Sequence, residues 1–165
     1  MTKLLMVFIA VFVAVLGDTT DEQTRIDTIQ KGGNSLKTCE TKLGFQIPYI
    51  LYHKGYKKVK YLETQTKDRI GDVMLCVYNQ MGIMTGNGDL IEEKVTKYYE
   101  NILGENNNYI LKKNTTVEVY SRSGLIKKIL DTCKPYFYLP GNRKVFDYEF
   151  CTHTEIFTKY AVFYI

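Results

Sequence analysis

The chain has 165 residues, 45% of them hydrophobic and 24% charged, with 12 glycines and 3 prolines: the composition of one globular domain, which excludes disordered, collagen-like and low-complexity classes. Its 22 basic and 18 acidic residues leave a net charge of +4 spread along the sequence, so electrostatics alone nominate neither nucleic acid nor an anionic membrane as a partner. With no tryptophan and only two histidines, His53 and His153, there is little material for a metal centre or a histidine-based catalytic site.

Residues 1–17 read MTKLLMVFIAVFVAVLG, with Lys3 ahead of an uninterrupted apolar run from Leu4 to Leu16 and a polar stretch from Asp18. A spanning helix needs about 20 apolar residues. The shorter run, with Val15 and Gly17 before the cut, fits a cleaved secretory signal and leaves residues 18–165 as the domain.

Helical periodicity dominates the rest of the chain. Thr20 with Gln23 suggests a capping box, and Ile26, Ile29, Leu36, Cys39 and Leu43 fit one helix weakened by Gly32 and Gly33. Pro48 can open a short helix through Tyr49, Leu51 and Tyr52, after which Lys54, Lys57, Lys58 and Lys60 read as a solvated basic face. Ile70, Val73, Met74, Val77, Tyr78 and Met81 recur at intervals of three and four, which predicts a helix over 64–82. Gly86, Asn87 and Gly88 form a turn, Asp89 is placed to cap with Glu92 three residues on, and Leu90, Ile91, Val95, Tyr98, Tyr99, Ile102 and Leu103 make a second stripe ending at Gly104.

Thr116 to Tyr120 alternates apolar and polar residues over too short a span to support a sheet. Leu125, Ile126, Ile129, Leu130 and Cys133 form a third stripe, stopped by Pro135. Pro140 and Gly141 turn the chain into a last helix, 142–159, carrying Val145, Phe146, Phe150 and Cys151. About six short helices make the expected fold all-α, a compact bundle around an apolar cavity. Parallel βαβ units and a lipocalin-type barrel are disfavoured because period-two runs are scarce.

In a secreted chain Cys39, Cys76, Cys133 and Cys151 form two disulfides, in any of three pairings. Their gaps of 36, 56 and 17 residues lack the close ligand pairs of a zinc site. Thr85, Asn87 and Asp89 resemble the start of a calcium loop, but Leu90 stands where glycine is required. There is no nucleophile elbow, phosphate loop or H-E-x-x-H, so neither a metal nor a catalytic residue is named and the chain is read as a non-enzyme. Asn114, Thr115 and Thr116 form a glycosylation sequon.

The segment VMLCVYNQMGIMTGNGDLIEEKV around Cys76 resembles the third-cysteine region of insect odorant-binding proteins. In that family the second of six cysteines precedes the third by four positions, and the last three are separated by eight residues each. Here those rules put Asp72 at the second position and Asn142 at the fifth, while Cys39, Cys76, Cys133 and Cys151 match the first, third, fourth and sixth. The family pairs second with fifth, so both missing cysteines belong to one bridge. The chain therefore resembles the four-cysteine, "minus-C" subgroup over roughly residues 23–157, with an insertion near 105–120.

The resemblance implies bridges Cys39–Cys76 and Cys133–Cys151, and a looser contact where Asp72 and Asn142 replace the third. The local alternatives are a solvated Asp72 and an N-cap at Asn142. It also implies a secreted carrier for a small hydrophobic molecule such as an odorant or pheromone, with a membrane receptor as a further partner and no cofactor or nucleic acid. Candidate pocket residues on the apolar faces are Met74, Val77, Tyr78, Met81, Ile83, Met84, Tyr98, Leu125, Ile129 and Phe146. The apolar tail Tyr160 to Ile165, with Phe163, is proposed as a lid, the alternative being simple packing on a surface groove. The alternative is a glandular or salivary interaction protein that uses the same scaffold's surface.

Overall fold

A computed structural model describes residues 19–48, 62–103, 109–113, 116–139 and 141–157. The expected leader, the Pro48 helix, His53 and the lysine cluster, the sequon asparagine, and the lid with Phe163 lie outside the described residues.

Helix α1, Thr19–Leu43, runs unbroken through Gly32 and Gly33. Ile29, Gly33 and Cys39 share a buried side with Leu36 packed against the core, so tertiary burial outweighs the poor helix propensity of the two glycines. The helix is already formed at Thr19, which places Thr20 inside it and not at the expected cap. Past its end the Ile47 amide donates to Glu40 Oε1 at 2.8 Å, and the Arg69 guanidinium stacks over the Phe45 ring at 4.4 Å.

Helix α2, Thr64–Met81, buries Ile70, Val73, Val77 and Tyr78, the stripe expected from period 3.6. Gly82 closes it in the left-handed region at φ 74°, a conformation that costs little only without a Cβ. An antiparallel bridge then joins Met84 to Leu90, and Asp89 and Thr85 exchange hydrogen bonds across the turn. The Ile91 amide donates back to the Ile83 carbonyl at 2.9 Å, and the Ile91 carbonyl accepts from the Val95 amide at 3.0 Å. Helix α3, Glu92–Leu103, therefore starts after Ile91, and Asp89 serves the turn instead of capping the helix.

Strands β1, Tyr109–Lys113, and β2, Thr116–Tyr120, pair antiparallel from Tyr109↔Tyr120 to Lys113↔Thr116. This corrects the expectation that the second segment is too short for a sheet: its partner lies two residues upstream, inside the inferred insertion. Lys128 ties the hairpin to the next helix by bonding Glu118 at 3.1 Å and lying over the Tyr120 ring at 4.6 Å.

Helix α4, Arg122–Cys133, is capped by Ser121, whose hydroxyl accepts from the Gly124 amide at 3.1 Å, and it passes into a 3-10 turn, Lys134–Tyr138, at Pro135. Helix α5, Arg143–Phe157, completes the bundle. The fold is all-α apart from the hairpin: five α-helices among the described residues, close to the six expected, with α1 and α5 packed on α2, α3 on α1 and α4, and α4 on α5. Disulfides Cys39–Cys76 and Cys133–Cys151 bind α1 to α2 and α4 to α5, with Cα separations of 5.8 and 5.6 Å. No helix of the described residues is long and apolar enough to cross a membrane.

Candidate functional site

The apolar faces converge on one interior. Val77, Tyr78, Ile83, Met84, Leu125, Ile129 and Phe146 are buried together there, while Met74, Met81 and Tyr98 are partly buried against the same core. Ten of the eleven expected pocket residues are thus brought together from α2, the Met84 turn, α3, α4 and α5; Phe163 lies outside the described residues. Phe146 and Phe150 rings stack with centroids 6.4 Å apart.

Within this apolar interior is a polar group that the sequence pattern did not nominate. Glu149 lies on the same side of α5 as Val145, Tyr148 and Thr152, as the i, i+3, i+4, i+7 spacing requires, and Val145, Tyr148 and Thr152 are buried. The Tyr78 hydroxyl, arriving from α2, donates to Glu149 Oε2. Tyr98 and Tyr99 of α3, which meet edge to face at 5.4 Å between centroids, act on the same carboxyl electrostatically. Tyr148 is fully buried, its ring 4.4 Å from that of Phe137. Its hydroxyl makes no hydrogen bond of ordinary geometry, although the Tyr99 hydroxyl lies near enough to influence its ionisation.

Burial decides the electrostatics. Desolvation raises the pKa of Glu149 above the usual carboxylate range, and the Tyr78 hydrogen bond offsets only part of that rise. All four tyrosines are held well above their usual value, by burial first; the nearby carboxyl adds to the rise in each. These hydroxyls therefore remain protonated donors. Among the side chains that the structure describes, no Lys or Arg forms an ion pair with Glu149.

A carboxylate in the apolar stripe of an amphipathic helix was the signal available in the sequence, because such residues are seldom buried without a partner. It was masked by the aromatic residues around it. Just ahead of α5 the two positions singled out by cysteine spacing meet: Asn142 donates to Asp72, so the direct bond is formed and Asp72 is more than a solvated helix residue. Among the described residues no group of three or more His, Cys, Asp or Glu side chains is placed to hold a metal. No protein-family model, no curated protein and no solved structure matches this chain.

Proposed function

We propose that this chain is a secreted, non-catalytic carrier that takes up a small hydrophobic molecule in the interior of the bundle. The supporting observation is the cysteine framework: both bridges pair as the odorant-binding resemblance implies, and the two positions left without cysteine lie side by side. Two disulfides suit an oxidising compartment. They also restrain helices whose apolar faces would otherwise close on one another, so that a ligand can take the place of part of a packed core. Burial of the ligand's apolar surface, at about 25 cal/mol per Å2, supplies the affinity.

Uptake of the neutral fluorophore N-phenyl-1-naphthylamine tests this reading. A blue-shifted, saturable signal displaced by medium-chain alcohols is expected; a chain that leaves the fluorophore in water overturns it. That second outcome favours a protein acting through its surface, for which the exposed Tyr136, Tyr138 and Leu139 are the material. N-terminal sequencing of the chain recovered from a secreting cell is expected to begin after Gly17.

A further inference from the structure

Glu149 poses a problem of charge. Its carboxyl sits between α2, α3 and α5, and every polar side chain acting on it is a tyrosine: Tyr78 from α2, Tyr98 and Tyr99 from α3, Tyr148 from its own helix. An ionised carboxylate in such surroundings is costly without a cation, and no described Lys or Arg side chain pairs with it. One carboxyl oxygen, Oε2, accepts from Tyr78. The Tyr148 hydroxyl is buried without a hydrogen bond of ordinary geometry, with the Tyr99 hydroxyl near it. Glu149 and Tyr98 both keep part of their surface accessible, so the group is not sealed inside the core.

We infer that this cluster is the polar end of the ligand site and that it selects hydrophobic molecules carrying a protonated amine, with Glu149 as the counter-ion. An ammonium group presents several N–H donors and a full charge that compensates the carboxylate, and aromatic surroundings favour a cation. A neutral alcohol satisfies a hydroxyl but leaves the carboxylate uncompensated. A fatty acid sets two carboxylates against each other. The remaining apolar body of the ligand lies against Val77, Met81 and Phe146, whose side chains belong to the same interior.

This inference rests on the carrier reading and sharpens it to a ligand class, so the experiment separates the two. N-phenyl-1-naphthylamine, whose aryl nitrogen is not basic, is displaced at neutral pH by octylamine, octan-1-ol or octanoate, which share one alkyl skeleton. Octylamine is expected to compete about tenfold better than octan-1-ol, the equivalent of one moderate charge pair, with octanoate the weakest. Glu149→Gln, which keeps an acceptor for Tyr78, is expected to bring octylamine level with the alcohol, each competitor being read against the fluorophore affinity of the variant itself. The wild type supplies a second measurement that needs no variant: octylamine remains protonated throughout, so its advantage is expected to vanish as acidification neutralises Glu149. Equal competition by amine and alcohol, or an amine preference that survives Glu149→Gln or acidification, overturns the inference and leaves the carrier standing. A wild-type protein that takes up no fluorophore overturns both.

Discussion

The Asn142 side-chain amide donates to Asp72 Oδ1 at 2.8 Å, joining the start of α5 to the middle of α2 across 70 residues of sequence. The same junction holds a close backbone approach: a Cβ on Gly71 would stand 2.4 Å from the Asn142 carbonyl oxygen. A hydrogen bond thus occupies the place where the resemblance puts a covalent bridge.

Cysteines at both positions, Asp72→Cys with Asn142→Cys, are expected to oxidise, seen as the loss of two hydrogens in intact mass and, on peptide mapping, a crosslinked pair that joins the two substituted positions. By loop-closure reasoning the added bridge stabilises by about 2–4 kcal/mol, less than an isolated crosslink of that span because two bridges already constrain the unfolded chain. Thiols that stay reactive in the folded double variant would show that the geometry is wrong. Asn142→Ala alone is expected to cost less than about 1 kcal/mol, since both partners are exposed to water.

Gly71→Ala is expected to destabilise by about 1–3 kcal/mol in denaturant unfolding, despite the better helix propensity of alanine. The methyl would meet backbone atoms of Asn142 and Arg143, which cannot rotate out of its way. Equal or higher stability would mean that α5 slides along α2 without cost.

Stability should depend on pH through Glu149. Its folded pKa is raised, chiefly by burial, so the folded state holds the proton more tightly than the unfolded chain does. The corresponding stability is present below the ordinary carboxylate range and is lost as pH climbs through the raised folded value. Tyr78, Tyr98, Tyr99 and Tyr148, the groups facing it, stay neutral across that window. Melting temperatures across the acid-to-neutral range are expected to fall with rising pH in that window for the wild type and to flatten for Glu149→Gln; identical profiles would contradict the buried carboxyl.

The tyrosines should differ in a paired comparison. Tyr78→Phe removes the hydroxyl donor of a poorly hydrated carboxyl and is expected to cost about 1–3 kcal/mol. Tyr148→Phe removes a buried hydroxyl that makes no ordinary hydrogen bond, and is expected to be neutral or stabilising. Both are read from unfolding in denaturant, and the reverse order would reassign the carboxyl's partner.

How much of the fold was legible from residues depends on the range of each signal. Helix α2 was readable nearly to the residue because its stripe is regular and Gly82 punctuates it. The start of α3 was misplaced because Asp89 has the chemistry of a cap, whereas the Met84↔Leu90 bridge that recruits it depends on a fold of the chain. The hairpin escaped notice for a related reason: one five-residue strand carries little pattern without its partner. The apolar lining was legible as faces. Glu149 was not, since its meaning depends on tyrosines from two other helices.

The crosslinks divide the bundle unevenly. Each disulfide clasps two helices, α1 with α2 and α4 with α5, and α3 bears none. Helix α3 is fastened by gentler means: the Lys134–Glu92 ion pair at 2.8 Å near its start, the Asn101 amide donating to Thr28 at 3.3 Å near its end, and the burial of Val95, Tyr99, Ile102 and Leu103 between them. It is therefore the wall that can lift without breaking a covalent bond. Since Tyr98 and Tyr99 ride on it, such breathing would uncover the Glu149 carboxyl. Amide hydrogen exchange in α3 should outpace that in α2, and the bundle would admit a guest from that side.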